Sequence, residues 1–230
     1  DDTASAFSSR GPTWYDGFAK PDVLAPGHGL FSTSATGSTL SKTASTQSAS
    51  GDAVKLYGTS MAAATTTGVV ALLLEANRAA FPNAGRDLPP NAVKAMLQFS
   101  AVPVRESASG PELDLLTQGA GGLNGLGALA LAKSLDPSRV LGSWWLATPV
   151  VESSKLGGFT LPWSRRIIWG ASTLYGDAIY SNLPAWQSNI VWGNTLIWGE
   201  ALVWGNTFIW GENIVTSTSF IWGESIVWGE

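Results

Sequence analysis

Cysteine is absent from the 230 residues, which excludes disulfides and thiolate chemistry while leaving the compartment open. Charge is sparse: 13 lysines and arginines against 17 acids give a net charge of -4. The cations are scattered, so no basic field exists to attract nucleic acid. Carboxylates do not cluster at a metal-binding spacing, and neither a metal nor a cofactor is expected. No apolar run reaches the roughly 18 residues a bilayer-spanning helix needs, so no transmembrane segment is expected. Histidine occurs once, as His28. What remains is a chain long enough for one cored domain and an appendage.

Its most informative stretch is Gly58-Thr59-Ser60-Met61-Ala62-Ala63, followed by the apolar run Gly68 to Leu74. The pattern places a serine where a tight loop turns into a long helix. Backbone N–H groups at a helix start have no partners within the helix and carry partial positive charge, so an oxyanion forming beside Ser60 would meet donors already in place. The stretch resembles the serine motif of the subtilisin-like serine proteases, the subtilases. Three further segments carry the resemblance in the family's order: Phe7-Ser8-Ser9-Arg10-Gly11-Pro12, Lys20 to Gly27, and Gln118 to Asn124.

The resemblance covers about residues 1 to 135 and implies that Ser60 is the catalytic nucleophile. In that family a histidine oriented by an aspartate takes the serine proton. His28 follows an Ala-Pro-Gly turn in a segment the family does not use for its base, and it is read as a loop residue without catalytic role. The family's aspartate and histidine motifs, and its oxyanion asparagine, lie further upstream of the serine than this chain extends. The chain is therefore expected to start partway through a subtilase domain, as a cleavage product, a portion of a longer protein, or a gene remnant with another job. After Ala63 it also departs from the family's proline and histidine, with Ala64-Thr65-Thr66-Thr67 instead. Threonine hydroxyls there can bond back to carbonyls one turn earlier.

Short apolar stretches near Asp22 to Leu24 and Ala53 to Tyr57, each stopped by glycine or proline, predict strands. The Ser-, Thr-, Ala- and Gly-rich segment Ser32 to Gly51 predicts a flexible surface loop. Apolar residues on nearly every side from Ser60 to about Phe81 predict a buried central helix. Pro89-Pro90 starts another helix, and a glycine-rich turn leads into a third over Leu123 to Leu135. Glu112 and Asp114 lie on the loop between and are given no role.

From about Ser138 charge thins and tryptophan accumulates. Trp186, Trp192, Trp198, Trp204, Trp210, Trp222 and Trp228 recur every six residues, or once twelve, with Thr216 on the skipped beat. Trp169-Gly170 and Tyr175-Gly176 follow the same step. Six is a whole number of strand alternations, so in an extended chain every tryptophan points to one side, whereas a helix would scatter them. Val-Trp-Gly-Asn alternates with Ile-Trp-Gly-Glu from Val191 to Glu212, which makes two hexads a candidate unit. Leaving the row exposed would create a large sticky patch, so its own coil, the first domain or another molecule must cover it. From Trp192 onward each ring follows two large apolar residues, mostly aliphatic, which favours packing over sugar stacking.

The expected architecture is α/β: residues 1–137 form the C-terminal portion of a subtilisin-like doubly wound sheet domain, 138–163 a linker, and 164–230 an all-β repeat tail, as β-solenoid or extended strands. Two functions compete. One is a serine endopeptidase with Ser60 as nucleophile and its His and Asp partners in a missing N-terminal part of the same catalytic domain. The other is a structural or surface-assembly protein built on a subtilase fold. Expected partners are that N-terminal part, a peptide or protein substrate, and a homo-oligomer or filament through residues 164–230. The resemblance implies a secreted or cell-surface location.

Overall fold

The computed structural model describes residues 3–14, 17–35, 37–43, 53–107, 109–170 and 172–187. In chain order its elements are β1 (Leu30–Thr33), α1 (Thr39–Thr43), β2 (Ala53–Leu56), α2 (Thr59–Ala80), α3 (Pro90–Phe99), α4 (Leu115–Gln118) and α5 (Gly125–Ala132), then β3 (Ser153–Leu156), β4 (Phe159–Pro162), β5 (Arg166–Trp169), β6 (Ser172–Tyr175), a 3-10 turn (Gly176–Tyr180) and α6 (Pro184–Gln187). The hexads from residue 188 onward, and with them the solenoid or extended-strand expectation, lie outside the described residues.

The core is built on α3. Proline in its first turn supplies a fixed helical φ and gives up an N–H that would have no helical partner. Almost every later position of α3 is buried, and α5, β5, the 3-10 turn and α6 pack around it. Trp145, Trp163, Trp169 and Trp186 share one apolar cluster with Leu73, Phe99 and Leu131. The rings of Trp169 and Trp186 meet edge to face with centroids 5.2 Å apart. Burying one such ring of about 200 Å2 contributes on the order of 5 kcal/mol before conformational entropy is subtracted. Residues 138–163, expected as a linker, carry β3 and β4 and place Trp145 and Trp163 in this cluster.

Buried amides cross-link the layers. The Gln98 side chain donates to Asp22 Oδ1 (2.9 Å) and accepts from the Ile168 N–H (3.0 Å), tying α3 to the chain before β1 and to β5. Asn124 caps α5 by accepting from the Gly127 N–H (3.0 Å) and donates to the Ser100 carbonyl (2.8 Å). Asn77 of α2 donates to the carbonyls of Ala132 (2.7 Å) and Leu135 (2.9 Å). Each amide pairs groups whose burial alone would be costly.

The doubly wound sheet expected from sequence is present only as a trace. Among the described residues the sheets are three antiparallel two-stranded pairs, β1–β2, β3–β4 and β5–β6. One parallel bridge joins Leu24 to Gly122: the Leu24 N–H donates to the Gly121 carbonyl (2.8 Å) and the Leu123 N–H to the Leu24 carbonyl (2.7 Å). Parallel pairing needs crossover connections bringing further strands alongside, and among the described residues no named strand extends this bridge. The segment expected as a loop from Ser32 is structured at its start, where Ser32 and Thr33 end β1 and α1 follows.

The β5–β6 hairpin reverses one expectation. Trp169 pairs with Ser172 and Arg166 with Tyr175. The chain therefore turns inside a hexad, and the six-residue step no longer returns to the same face. Ile167 and Trp169 pack into the main cluster, whereas Ile168 packs on the other side with Ala19, Ala101 and Ala120. Tyr175, six residues after Trp169, is 68% exposed.

Candidate active site

Ser60 occupies the second position of α2, as the loop-to-helix pattern predicts. Gly58 precedes the helix at φ 142°, a conformation that L side chains rarely adopt. Its N–H donates to the Gly27 carbonyl (2.9 Å), which fastens the serine loop to the Ala-Pro-Gly turn. The contact is close: a Cβ at Gly27 would lie 2.7 Å from the Gly58 carbonyl oxygen and 3.1 Å from Ala62 Cβ. Two motifs separated in sequence thus lock each other, with glycine required on both sides.

The threonines after the motif behave as their chemistry suggests. Thr65, Thr66 and Thr67 donate to the carbonyls of Met61 (3.0 Å), Ala62 (2.9 Å) and Ala63 (2.9 Å), and Thr65 also reaches the Pro26 carbonyl (3.3 Å). Hydroxyl bonding of this kind satisfies the side chain without interrupting the helix.

A cleft of about 680 Å3 opens beside the start of α2. Val23, Leu24 and Ala25 form one wall, Gly58, Thr59, Ala62, Ala63 and Thr66 another. Ser60 itself is exposed and is not among the lining residues, although Gly58, Thr59 and Ala62 beside it are. Such an arrangement offers a solvent-accessible hydroxyl at a helix N-terminus, where backbone donors stabilise developing negative charge.

His28 lines the same cleft. Its ring stacks on Phe7 (centroids 6.0 Å apart, planes within 7°) and meets Tyr57 edge-on (4.8 Å, 84°). The β1–β2 pairing that sets Leu30 opposite Leu56 carries His28 and Tyr57 to the same end of the hairpin. Phe7, His28 and Tyr57 are distant in sequence, so no local signal announces the stack. The Gly58–Gly27 lock was half visible, since both glycines lie in motifs.

Below the cleft, Asp22 is gripped by Lys20 Nζ (2.6 Å) and Lys94 Nζ (2.9 Å). Burial opposes ionisation of its carboxyl, but the ammonium groups of Lys94 and Lys20 outweigh it and hold Asp22 below the usual carboxylate range. Glu112 and Asp114 act in the framework: Glu112 pairs with Arg166, and Asp114 caps α4 by accepting from the Leu116 N–H (2.9 Å) and the Thr117 hydroxyl (2.6 Å). Among the described residues no three His, Asp or Glu side chains converge as metal ligands would.

The helix behind Ser60 is less covered than expected. Of its 22 residues only Leu73 and Asn77 are fully buried, and Leu72 is 53% exposed. A helix apolar on most sides needs cover on most sides, and among the described elements α5 is its main partner. By length and composition α2 also meets the minimum for a bilayer-crossing helix, which the sequence was expected to lack; a core helix can have the same length and composition.

The serine turn, its glycine lock and the parallel bridge at Leu24 are held together as one unit, and residues 1–123 match the subtilase family. This is more than half of the 230 residues, and the chain belongs to that family. Over 98 residues, 43% of this chain, it is 39% identical to the serine protease AprX of Bacillus subtilis (strain 168). The chain spans 20% of the length of that relative.

Proposed function

We propose that this chain is the nucleophile-bearing part of a serine endopeptidase of subtilisin type. Ser60 Oγ attacks a peptide carbonyl, and a histidine from an N-terminal part of the same catalytic domain accepts its proton. An aspartate from that part orients the histidine. The Ser60 N–H helps to hold the oxyanion. The C–N bond then breaks as the histidine returns the proton to the leaving amine, and water releases the acyl group from Ser60. The observation that carries this reading is the exposed hydroxyl on the first turn of α2, beside a cleft and locked by Gly27 and Gly58. The open cleft and the half-covered α2 are where the N-terminal part would seat.

The test is a fluorophosphonate probe applied to the intact protein, followed by digestion and mass spectrometry. Covalent label on Ser60, lost in Ser60→Ala, is the expected outcome. Folded protein that takes no label would sink the peptidase reading.

A second reading draws on the hexads. A tail of tryptophans, each from Trp192 onward preceded by two large apolar residues, suits a β-repeat that is buried within the protein or between copies, making a homo-oligomer, filament or surface layer. Electron microscopy of the intact protein checks it, and uniformly monomeric particles would count against assembly through residues 164–230. The two readings are compatible in a secreted or cell-surface protein whose coat retains peptidase activity.

A further inference from the structure

The residues that match the subtilase family end at 123, yet β5, well beyond them, packs on the segment that leads to the serine turn. The Ile168 side chain packs with Ala19, Ala101 and Ala120, and Val23 of the cleft wall packs against the same cluster. Close by, the Ala19 N–H donates to the Gly170 carbonyl (3.2 Å). The entry to β5 is fastened to the end of α3: the Arg165 N–H donates to the Phe99 carbonyl (3.0 Å) and the Ser164 N–H to the Ala101 carbonyl (2.7 Å).

Gln98 completes the contact, and its chemistry is specific. Its side chain is fully buried, donates to Asp22 Oδ1 (2.9 Å) and accepts from the Ile168 N–H (3.0 Å). A backbone N–H can only donate and an ionised carboxylate can only accept, so the group between them needs a donor and an acceptor together. A carboxamide supplies both without charge. Glutamate would set a second carboxylate against Asp22, and lysine would leave the Ile168 N–H without an acceptor.

From Asp22 the chain reaches the serine turn through fixed steps. The Asp22 carbonyl accepts from the Ala120 N–H (3.0 Å), and Leu24 is bridged to Gly122. The Pro26 carbonyl accepts from the Thr65 hydroxyl (3.3 Å) and the Gly27 carbonyl from the Gly58 N–H (2.9 Å). Residues 22–27 are thus held at their start by α3 and β5 and joined at their end to the turn two residues before Ser60. At a nucleophile, a displacement of about 1 Å passed along such a segment can cost about 100-fold in rate.

We propose that β5 belongs to the catalytic unit, and that Ile168 and Gln98 are positioning residues that hold Ser60 in register through residues 22–27. The effect on rate rests on the peptidase reading given above, whereas the hold on the serine turn rests on the described contacts alone. β5 supplies its own control. Ile167 and Ile168 are adjacent and each 1% exposed, but Ile167 packs into the main cluster and Ile168 against the segment that leads to Ser60. Cutting either to alanine removes the same atoms from the same strand, and only one cut touches that segment.

The test compares Ile168→Ala with Ile167→Ala in the intact protein, at a temperature where circular dichroism shows both folded. Two quantities are measured: the rate of fluorophosphonate labelling at Ser60, and hydrogen exchange at the Leu24 and Gly58 N–H groups. Ile168→Ala is expected to slow labelling and speed exchange by about tenfold each, and Ile167→Ala to change either by less than about twofold. Gln98→Met, close to glutamine in length but without its two hydrogen-bonding ends, is expected to follow Ile168→Ala. Where an alanine variant does not fold, Ile168→Val against Ile167→Val gives the same contrast at smaller amplitude. Equal responses from the two isoleucines, or folded Gln98→Met with unchanged exchange and labelling, overturn the proposal. Unsubstituted protein that takes no label sinks the peptidase reading instead, and the exchange contrast still decides whether β5 holds the serine turn.

Discussion

Two helices of this protein are similarly apolar and end up in different surroundings. α3 buries eight of its ten residues, including the polar side chains of Asn91 and Gln98, while α2 buries two of 22. The difference lies in neighbours. α3 sits among α5, β5, the 3-10 turn and α6, and its buried amides find partners on two of them: Asn91 donates to the Ala185 carbonyl of α6 (3.1 Å) and Gln98 accepts from the Ile168 N–H of β5 (3.0 Å). α2 has α5 along one side and the cleft at its start. An apolar helix states a demand for cover, and only the tertiary arrangement shows how much of that demand is met.

The largest expected effect breaks the well-covered side. Trp186→Ala removes a fully buried ring that meets Trp169 edge-on, and urea unfolding should show a loss of about 3–5 kcal/mol. Gln98→Leu comes next. It leaves the buried Ile168 N–H without its acceptor and removes a donor from Asp22, and should cost about 1–3 kcal/mol in the same measurement.

A smaller, pH-dependent effect concerns Asp22. Its folded-state pKa lies below its unfolded value, so the carboxylate form favours the fold. That contribution is fully present above the unfolded value of about 3.9 and is lost as pH falls through the folded one. The stability difference between the protein and Asp22→Asn should therefore be constant above about pH 5 and shrink below it. A difference that grows on acidification would contradict the ion pairs.

The smallest effect tests the half-open helix. Leu72→Ala on the exposed side of α2 should change the stability of this chain by no more than about 0.5 kcal/mol. With an N-terminal part of the domain added, the same substitution should weaken the pair's association or raise the stability cost above about 1 kcal/mol. An equally small effect in both settings would count against this face of α2 as the seat of the N-terminal part proposed above.

Much of the site was readable because local chemistry specifies it. The loop-to-helix turn at Ser60, the prolines that start α3 and the glycine-rich turn into α5 each depend on a few adjacent residues. Distant pairings were not readable. The stack of Phe7, His28 and Tyr57 needs three segments brought together, and the packing of Trp145 and Trp163 into the α3 core looked from composition like part of a linker. The hexad step misled for a related reason. Six residues preserve a side chain's face only while the chain runs straight, and at Trp169 it turns back.

What the sequence by itself determined is therefore local: where helices begin, which serine stands on a turn, which residues seek burial, and the period at which tryptophan recurs. The tertiary structure alone decided which apolar surfaces found partners, which glycines had to lack a side chain, and to which face each ring of the first hexads points. Propensity and capping act over one turn of chain. Burial and facing depend on what folds back alongside, and no stretch of residues carries that information until its neighbours are in place.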